Sequence, residues 1–260
     1  MKYKTIRLQK DSGLATITMH RPDNLHALNS QMLSEMNGAL AEIERDEETR
    51  AVILTGGSQC FSAGFDMAEI NGFTTAADAR EFFREAHGVF DRLEELEKPV
   101  IAAIGGLCLS GGCELTLACD LRLAAENATF GQPEIKIGMI PCGGATQRLP
   151  RLIGMTKAKE LLLTGDYINA QEAHRIGLLN KVVAVASLLD EARAMALKIA
   201  CHPYAAVKAT KLAVNGGINM DIKSAIAYEA RCFEAIFSNE EQKEGVMAYM
   251  EKRKPAFRKK

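Results

Sequence analysis

Two glutamates stand where glutamate is costly unless it has a task. Glu114 directly follows Gly111-Gly112-Cys113 in a stretch that continues as Leu115, Leu117 and Ala118, and Glu134 lies in Phe130-Gly131-Gln132-Pro133-Glu134, a loop shaped by glycine and proline. A carboxylate among apolar neighbours has to be paired, hydrogen-bonded or put to use. Two of them facing one apolar cavity can hold different protonation states, which is what paired acid and base work near neutral pH requires. Two glycine-bearing turns, Phe61-Ser62-Ala63-Gly64-Phe65-Asp66 and Leu109-Ser110-Gly111-Gly112-Cys113-Glu114, each follow an apolar run. Ligands of α/β proteins bind where strands run out into such loops. Glycine lets the backbone approach a ligand and leaves N–H groups free, and a helix beginning near Gly112 adds its own unpaired donors. Together the turns can aim two N–H groups at one developing oxyanion. Ordinary alternatives stay open at this level: glycine pairs are often plain turns, single glutamates are more often surface or salt-bridged groups, and spacing alone does not make the two carboxylates converge.

Other chemistries lack their residues. There is no Gly-x-Gly-x-x-Gly for a dinucleotide, and Gly106 and Gly111 have P-loop spacing but are followed by Gly112-Cys113 rather than Lys-Ser/Thr. Gly56-Gly57-Ser58-Gln59-Cys60 falls one glycine short of a nucleophile elbow. His20, His26, His87, His174 and His202 show no metal-ligand spacing and read as surface or locally bonded imidazoles. The seven cysteines include no Cys-x-x-Cys pair and sit mostly among apolar neighbours, as reduced core thiols do.

The elements that must position these residues alternate strand and helix. Ile6 and Leu8, a turn at Lys10-Asp11-Ser12-Gly13, then Ala15, Ile17 and Met19 predict a β-hairpin, after which Ser30 caps a helix buried through Leu33, Met36, Leu40 and Ile43. Ala51–Leu54 and Val100–Ile104 are apolar without alternation, the pattern of strands covered on both faces, Leu121-Arg122-Leu123-Ala124-Ala125 is a third, mostly apolar segment, and Phe82, Phe83, Ala86, Val89, Phe90 and Leu93 mark a long amphipathic helix. The pattern is α/β. From about Leu188 the segments are helical, so the division expected is an α/β core at residues 1–195 and a helical region at 196–260.

The whole has 260 residues, is 47% hydrophobic and 25% charged, and carries a net charge of −1, which excludes disorder and a collagen-like fibre. The charged opening Met1–Arg7 does not resemble a signal peptide and no run long enough to cross a membrane occurs, so a cytoplasmic protein without membrane partners is expected. Residues 252–260 hold six basic side chains and no acid, leaving −7 for the rest. A solvated end, a nucleic-acid contact and a phosphate site are the readings of such a tail, the first being the commonest.

Taken together, these motifs make the chain resemble the enoyl-CoA hydratase/isomerase (crotonase) family. The resemblance runs nearly end to end and is carried by Arg21-Pro22 with Ala27-Leu28-Asn29, the two glycine turns, Phe130–Glu134, Pro141-Cys142-Gly143-Gly144-Ala145-Thr146-Gln147-Arg148 and Glu251-Lys252-Arg253-Lys254. It implies a spiral of β-β-α units with a C-terminal helical region that drives formation of a homotrimer, often stacked as a hexamer. It implies that the N–H groups of Phe65 and Gly111 form an oxyanion hole for an acyl-CoA thioester, and that Glu114 and Glu134 occupy both catalytic glutamate positions of a hydratase. Coenzyme A, as part of the substrate rather than a cofactor, would lie across Leu25, His26, Ala27 and Leu28 and across Ala63, Phe65, Asp66, Met67 and Ala68, with Gly111 and Cys142 at the acyl end and Lys252 at the phosphates. No resident cofactor or metal is implied.

Three positions depart from the family pattern: His26 stands where Asn is common, Ala68 where some members have Lys, and Cys142 where Gly is usual. Acyl-chain preference is expected to depend on loops around 68–85 and 140–150, the first marked as mobile by Gly72 and Thr74-Thr75-Ala76-Ala77. A Δ3,Δ2-enoyl-CoA isomerase needs one carboxylate, so the presence of both favours a hydratase. One relative binds RNA, but no aromatic-interleaved basic surface is visible here and a nucleic-acid role is disfavoured.

Overall fold

The protein is described from a computed structural model that covers residues 3–237 and 239–257. The strand β1 (Ile6–Asp11) turns at Ser12 and Gly13, both with positive φ, into its antiparallel partner β2 (Leu14–Met19). That pair of left-handed residues gives the turn twist that hairpins favour. Helix α1 (Ser30–Arg45) follows, capped by Asn29, whose side chain accepts from the Met32 N–H at 3.0 Å. The cap therefore lies one residue before the Ser30 expected from sequence. Ser30 is taken instead by Glu69, which accepts its hydroxyl and its N–H.

Three strand-strand-helix turns come next. They are β3 (Ala51–Thr55), β4 (Cys60–Ser62), α2 (Met67–Asn71) and α3 (Ala76–Glu95); then β5 (Val100–Ile104), β6 (Leu107–Leu109) and α4 (Gly111–Leu117); then β7 (Leu121–Ala125), β8 (Thr129–Gly131), a 3-10 turn at Pro133–Ile137 and α5 (Ala145–Ile153). Beyond them lie α6 (Met155–Thr164), β9 (Tyr167–Asn169), α7 (Ala170–Arg175), β10 (Lys181–Val183), α8 (Leu188–Ala200), α9 (Tyr204–Gly217), α10 (Ile222–Ile236) and α11 (Glu240–Met250). First strands join one sheet in the order β1-β2-β3-β5-β7-β10 and second strands join another in the order β4-β6-β8-β9, so the chain advances as a spiral of β-β-α units. Each new unit adds a parallel neighbour to both sheets, through β3 to β5 to β7 and β4 to β6 to β8.

The larger sheet is buried on both faces. Val52, Leu54, Ala102, Ile104 and Ala124 join the core formed with α1 and α3, while Ile53, Ile101, Ala103, Leu123 and Ala125 pack beneath Leu188, Ala192 and Ala196 of α8. The division expected at 195/196 thus falls inside α8, a helix fixed to the sheet; the helices not covering it start after Cys201. The loop expected over 68–85 is mostly α2 and α3, the latter opened by a Thr75/Asp78 capping box, and the segment 140–150 is half occupied by α5. Among the described residues no helix is long and apolar enough to cross a membrane.

Lys98, 4% exposed, closes the C-terminal end of α1 by donating to the carbonyls of Ile43 and, at 3.4 and 2.6 Å, of Glu44 and Asp46. A buried ammonium satisfying several helix-end carbonyls is difficult to replace. Lys98→Met is expected to cost about 1–3 kcal/mol in denaturant-unfolding free energy, the penalty of leaving buried acceptors unmade.

Candidate active site

The two glycine turns interlock. Gly64, at φ +110°, lies so close to the next unit that a Cβ there would sit 2.5 Å from the Ser110 Cβ, and a Cβ on Gly112 would sit 2.6 Å from that of Ser62. Each unit therefore offers a glycine to the other's serine. Leu28 bridges to Phe65 as a short parallel pair, with the Leu28 N–H donating to Gly64 and the Asp66 N–H donating back to Leu28, which turns the N–H of Phe65 to the opposite side. Gly111 opens α4, where no preceding turn supplies an acceptor for its N–H. The hydrogen bonds of the described residues take up neither the Phe65 N–H nor that of Gly111. The Phe65 ring lies directly on Gly111, at 2.6–2.9 Å from where a Cβ would be, so the two free donors are neighbours. The ring is boxed by Phe82, Phe83 and Phe90 at centroid distances of 5.6, 5.1 and 6.3 Å.

Glu114, fully buried on α4, points one oxygen at the turn before α5: Oε1 accepts the N–H groups of Gly143 and Ala145, both at 2.8 Å. Its Oε2 and both carboxylate oxygens of Glu134 have no hydrogen-bond partner, and with the side-chain amide of Gln132 they are the buried unpartnered side-chain atoms among the described residues. All of these belong to α4 or to the end of β8 and the 3-10 turn beside it. Orphaned polar atoms gathered in one place mark a site built for a polar visitor. Burial is the main cause that pushes Glu114 up to about 7; the Glu134 charge adds to it, while the two N–H bonds and the Arg148 charge oppose it. Burial raises Glu134 as well, against the nearby Ser110 hydroxyl. The Glu134 charge thus works against ionising Glu114, so the two carboxyl groups do not titrate independently.

Residues 9–260 match the enoyl-CoA hydratase/isomerase family. The short-chain-enoyl-CoA hydratase of Clostridium acetobutylicum is 47% identical over 98% of this chain and 97% of its own, and the crotonyl-CoA hydratase of Syntrophomonas wolfei is 45% identical over 99% of both. The chain belongs to the enoyl-CoA hydratase/isomerase family. An enoyl-CoA hydratase from Bacillus anthracis of known structure superposes with a TM-score of 0.95 at 38% identity, over 99% of this chain and 100% of that one. The spiral and its helical C-terminal region are thus the fold of the enoyl-CoA hydratases, as the sequence motifs implied.

Of the coenzyme A positions suggested by resemblance to the family, most are gathered at one rim. Ala63 N–H donates to Leu25 at 2.9 Å, and Arg21 ties the two segments by pairing with Asp66 at 2.8 Å and donating to the Ala27 carbonyl at 2.5 Å. Leu25, Met67 and Ala68 are exposed on this rim, whereas Asp66 is spent on capping α2 through the N–H groups of Ala68 and Glu69. His26 is buried with positive φ, and its Nδ1 accepts the Arg21 N–H at 3.0 Å. Burial lowers its pKa, so it is a neutral imidazole whose place is set by the hairpin. Lys252 lies two residues beyond α11, with positive φ. Arg253 beside it is held by Glu244 and Glu251, so the basic segment is partly neutralised; Arg258, Lys259 and Lys260 lie outside the described residues.

Cys142 lies beside Glu114, one residue before the Gly143 N–H that Glu114 accepts. Burial and the Glu114 charge both push its thiol up, which keeps it protonated and a poor nucleophile. Sequence reasoning missed the N–H groups of Gly143 and Ala145 as the orienting contacts of Glu114. The segment 141–148 is visible as a motif, but backbone donors leave no mark in residue type.

Proposed function

We infer that this protein is an enoyl-CoA hydratase, adding water reversibly across C2 and C3 of a trans-2-enoyl-CoA to give a 3-hydroxyacyl-CoA. The observation that carries this is the convergence of two buried carboxylates, with three unpartnered oxygens between them, beside two free backbone N–H groups. An isomerase shuttles one proton and has use for one carboxylate; addition of water needs a base for the water and an acid for C2.

The N–H groups of Phe65 and Gly111 receive the thioester oxygen and hold the negative charge that develops there. Glu114 is the base: its Oε1 is anchored by two N–H bonds that favour the ionised form, and its free Oε2 takes a proton from the water that attacks C3. Glu134, whose two carboxyl oxygens are buried and open to the site, is the acid that delivers a proton to C2. No resident metal or redox group is called for, because polarising the thioester is sufficient activation.

The rim at Leu25, His26, Ala27, Ala63, Asp66, Met67 and Ala68 takes coenzyme A. Exposed Ile222, Ile226, Phe233 and Phe237 on α10 and the turn after it, with Val246 and Met250 on α11, support the homotrimer or hexamer that the family implies, in which Lys252 would reach the phosphates of a neighbouring subunit's substrate. Short acyl chains fit the aromatic wall of Phe65, Phe82, Phe83 and Phe90 and the names of the two relatives.

The test is loss of enoyl-thioester absorbance with crotonyl-CoA; failure to turn over crotonyl-CoA and its longer homologues would overturn the assignment. The rate should also fall on acidification with a midpoint at about 7, as Glu114 takes up a proton and ceases to be a base. A profile flat through that region would remove Glu114 from the role.

A further inference from the structure

We propose that Arg148 is a positioning residue for Glu114, acting through the turn at 142–145, which it clamps to helix α3. The inference rests on the hydratase reading and deepens it.

The turn holds Glu114 by the N–H groups of Gly143 and Ala145, so the base is only as well placed as that turn. Its own backbone is held from both ends by side chains, and both reach α3. At the start, His87 Nε2 donates to the Cys142 carbonyl. At the end, Arg148 Nη1 donates to the Gly143 carbonyl at 3.2 Å, while Nε and Nη2 grip Glu94 Oε2 at 2.9 and 2.6 Å and Nη2 meets Asp91 at 2.9 Å. His87, Asp91 and Glu94 recur at steps of four and three, which places them on one stripe of α3. Phe90, on the same helix, packs against Phe65 of the first glycine turn. One helix thus braces the oxyanion donor with its apolar face and the base with its polar stripe.

Arg148 is suited to this as lysine would not be. Its fork spans two carboxylates and a carbonyl at once, with a side chain 19% exposed. It has a second action on Glu114. The charges that face that carboxylate are Glu134, which disfavours its ionised form, and Arg148, which favours it, with the uncharged Cys142 thiol alongside. Loosening the clamp removes a favourable charge and slackens two N–H bonds together, and both effects make the base harder to ionise. Arg148 touches no part of the substrate in this scheme, so KM should be left nearly alone.

The experiment is crotonyl-CoA hydration by the full-length protein from about pH 6 to about pH 9, comparing wild type with Arg148→Gln, Arg148→Lys and the double change Asp91→Asn/Glu94→Gln. In Arg148→Gln the acid limb of kcat should move up by about one pH unit, so that kcat is about tenfold lower at the acid end and recovers at the alkaline end, with KM within about twofold. Arg148→Lys keeps the charge but cannot span two carboxylates and the carbonyl at once, so it should return the limb only part of the way. The double change gives a test of opposite sign should Arg148→Gln fail to fold: removing two nearby negative charges would by field alone move the limb down, whereas release of the clamp moves it up. Loss of kcat by the same factor at every pH, a rise in KM, or a limb that stays put or moves down in the double variant would overturn the proposal. A wild type without hydratase activity would overturn the functional reading instead.

Discussion

Glu114→Gln is expected to lower kcat for crotonyl-CoA hydration by at least about 10³-fold, within the range that positioned acid-base groups supply. Glu134→Gln is expected to do the same, yet the two variants should differ in a second assay. The C2 proton of a saturated thioester such as butyryl-CoA can be exchanged with solvent deuterium by one carboxylate and the oxyanion donors alone. That carboxylate is Glu134, which by microscopic reversibility removes the proton it would otherwise deliver. Glu114→Gln should therefore keep the exchange and Glu134→Gln should lose it; the reverse pattern would exchange their roles. Stability should not follow activity. Burial holds Glu114 above its ordinary value, so its ionised form is destabilising, with a cost that appears as pH rises from the unfolded carboxylate range and is complete above about 7. The uncharged amide escapes that cost, and the Glu114→Gln protein should melt no lower than the parent, with the largest gain on the alkaline side.

The second large effect is expected from Gly111→Ala. A methyl group there would stand 2.6 Å from Cε2 and 2.7 Å from Cδ2 of Phe65, nearer than such atoms approach in folded proteins. The ring has nowhere to go, since Phe82, Phe83 and Phe90 enclose it. The backbone of one glycine turn must then move away from the other, and with it one of the two N–H groups that converge on the thioester oxygen. Losing one oxyanion donor costs about 10²–10³ in rate, so kcat/KM should fall by about 10²-fold, accompanied by about 1–3 kcal/mol of destabilisation from overpacking. Glu114 remains where it was, so the acid limb of the pH profile should keep its midpoint. An unchanged kcat/KM would mean that Gly111 does not carry the oxyanion.

Much of this is legible from residues alone, and for definite reasons. The apolar strands at 51–54 and 100–104 announce a sheet covered on both faces because each of their side chains meets a core, and the structure buries them on alternate sides. Four strands escape such a reading: β4, β6, β8 and β9 have three residues each, too few for alternation to register, yet they make the second sheet that sets the glycine turns side by side. Phe82, Phe83 and Phe90 read as one apolar helix face; their gathering around Phe65 depends on a contact 17–25 positions away, beyond any local pattern. Glu114 and Glu134 stand out because charge among apolar neighbours is anomalous. Arg148 and His87 look like surface groups, since the turn carbonyls they hold leave no mark in residue type.

The reciprocal fit of glycine on serine has an evolutionary meaning. Gly64 with Ser110, and Gly112 with Ser62, are two teeth of one mesh between successive turns of the spiral, so each position is constrained by its opposite. A lineage drifting toward a new substrate cannot alter one tooth alone without opening the gap in which the thioester charge is held. Innovation should enter through side chains that carry no such pairing, such as the exposed Met67 on the outer wall at α2. The molecule therefore separates what it does from what it does it to: an inherited joint keeps the reaction, and a replaceable wall chooses the acyl group.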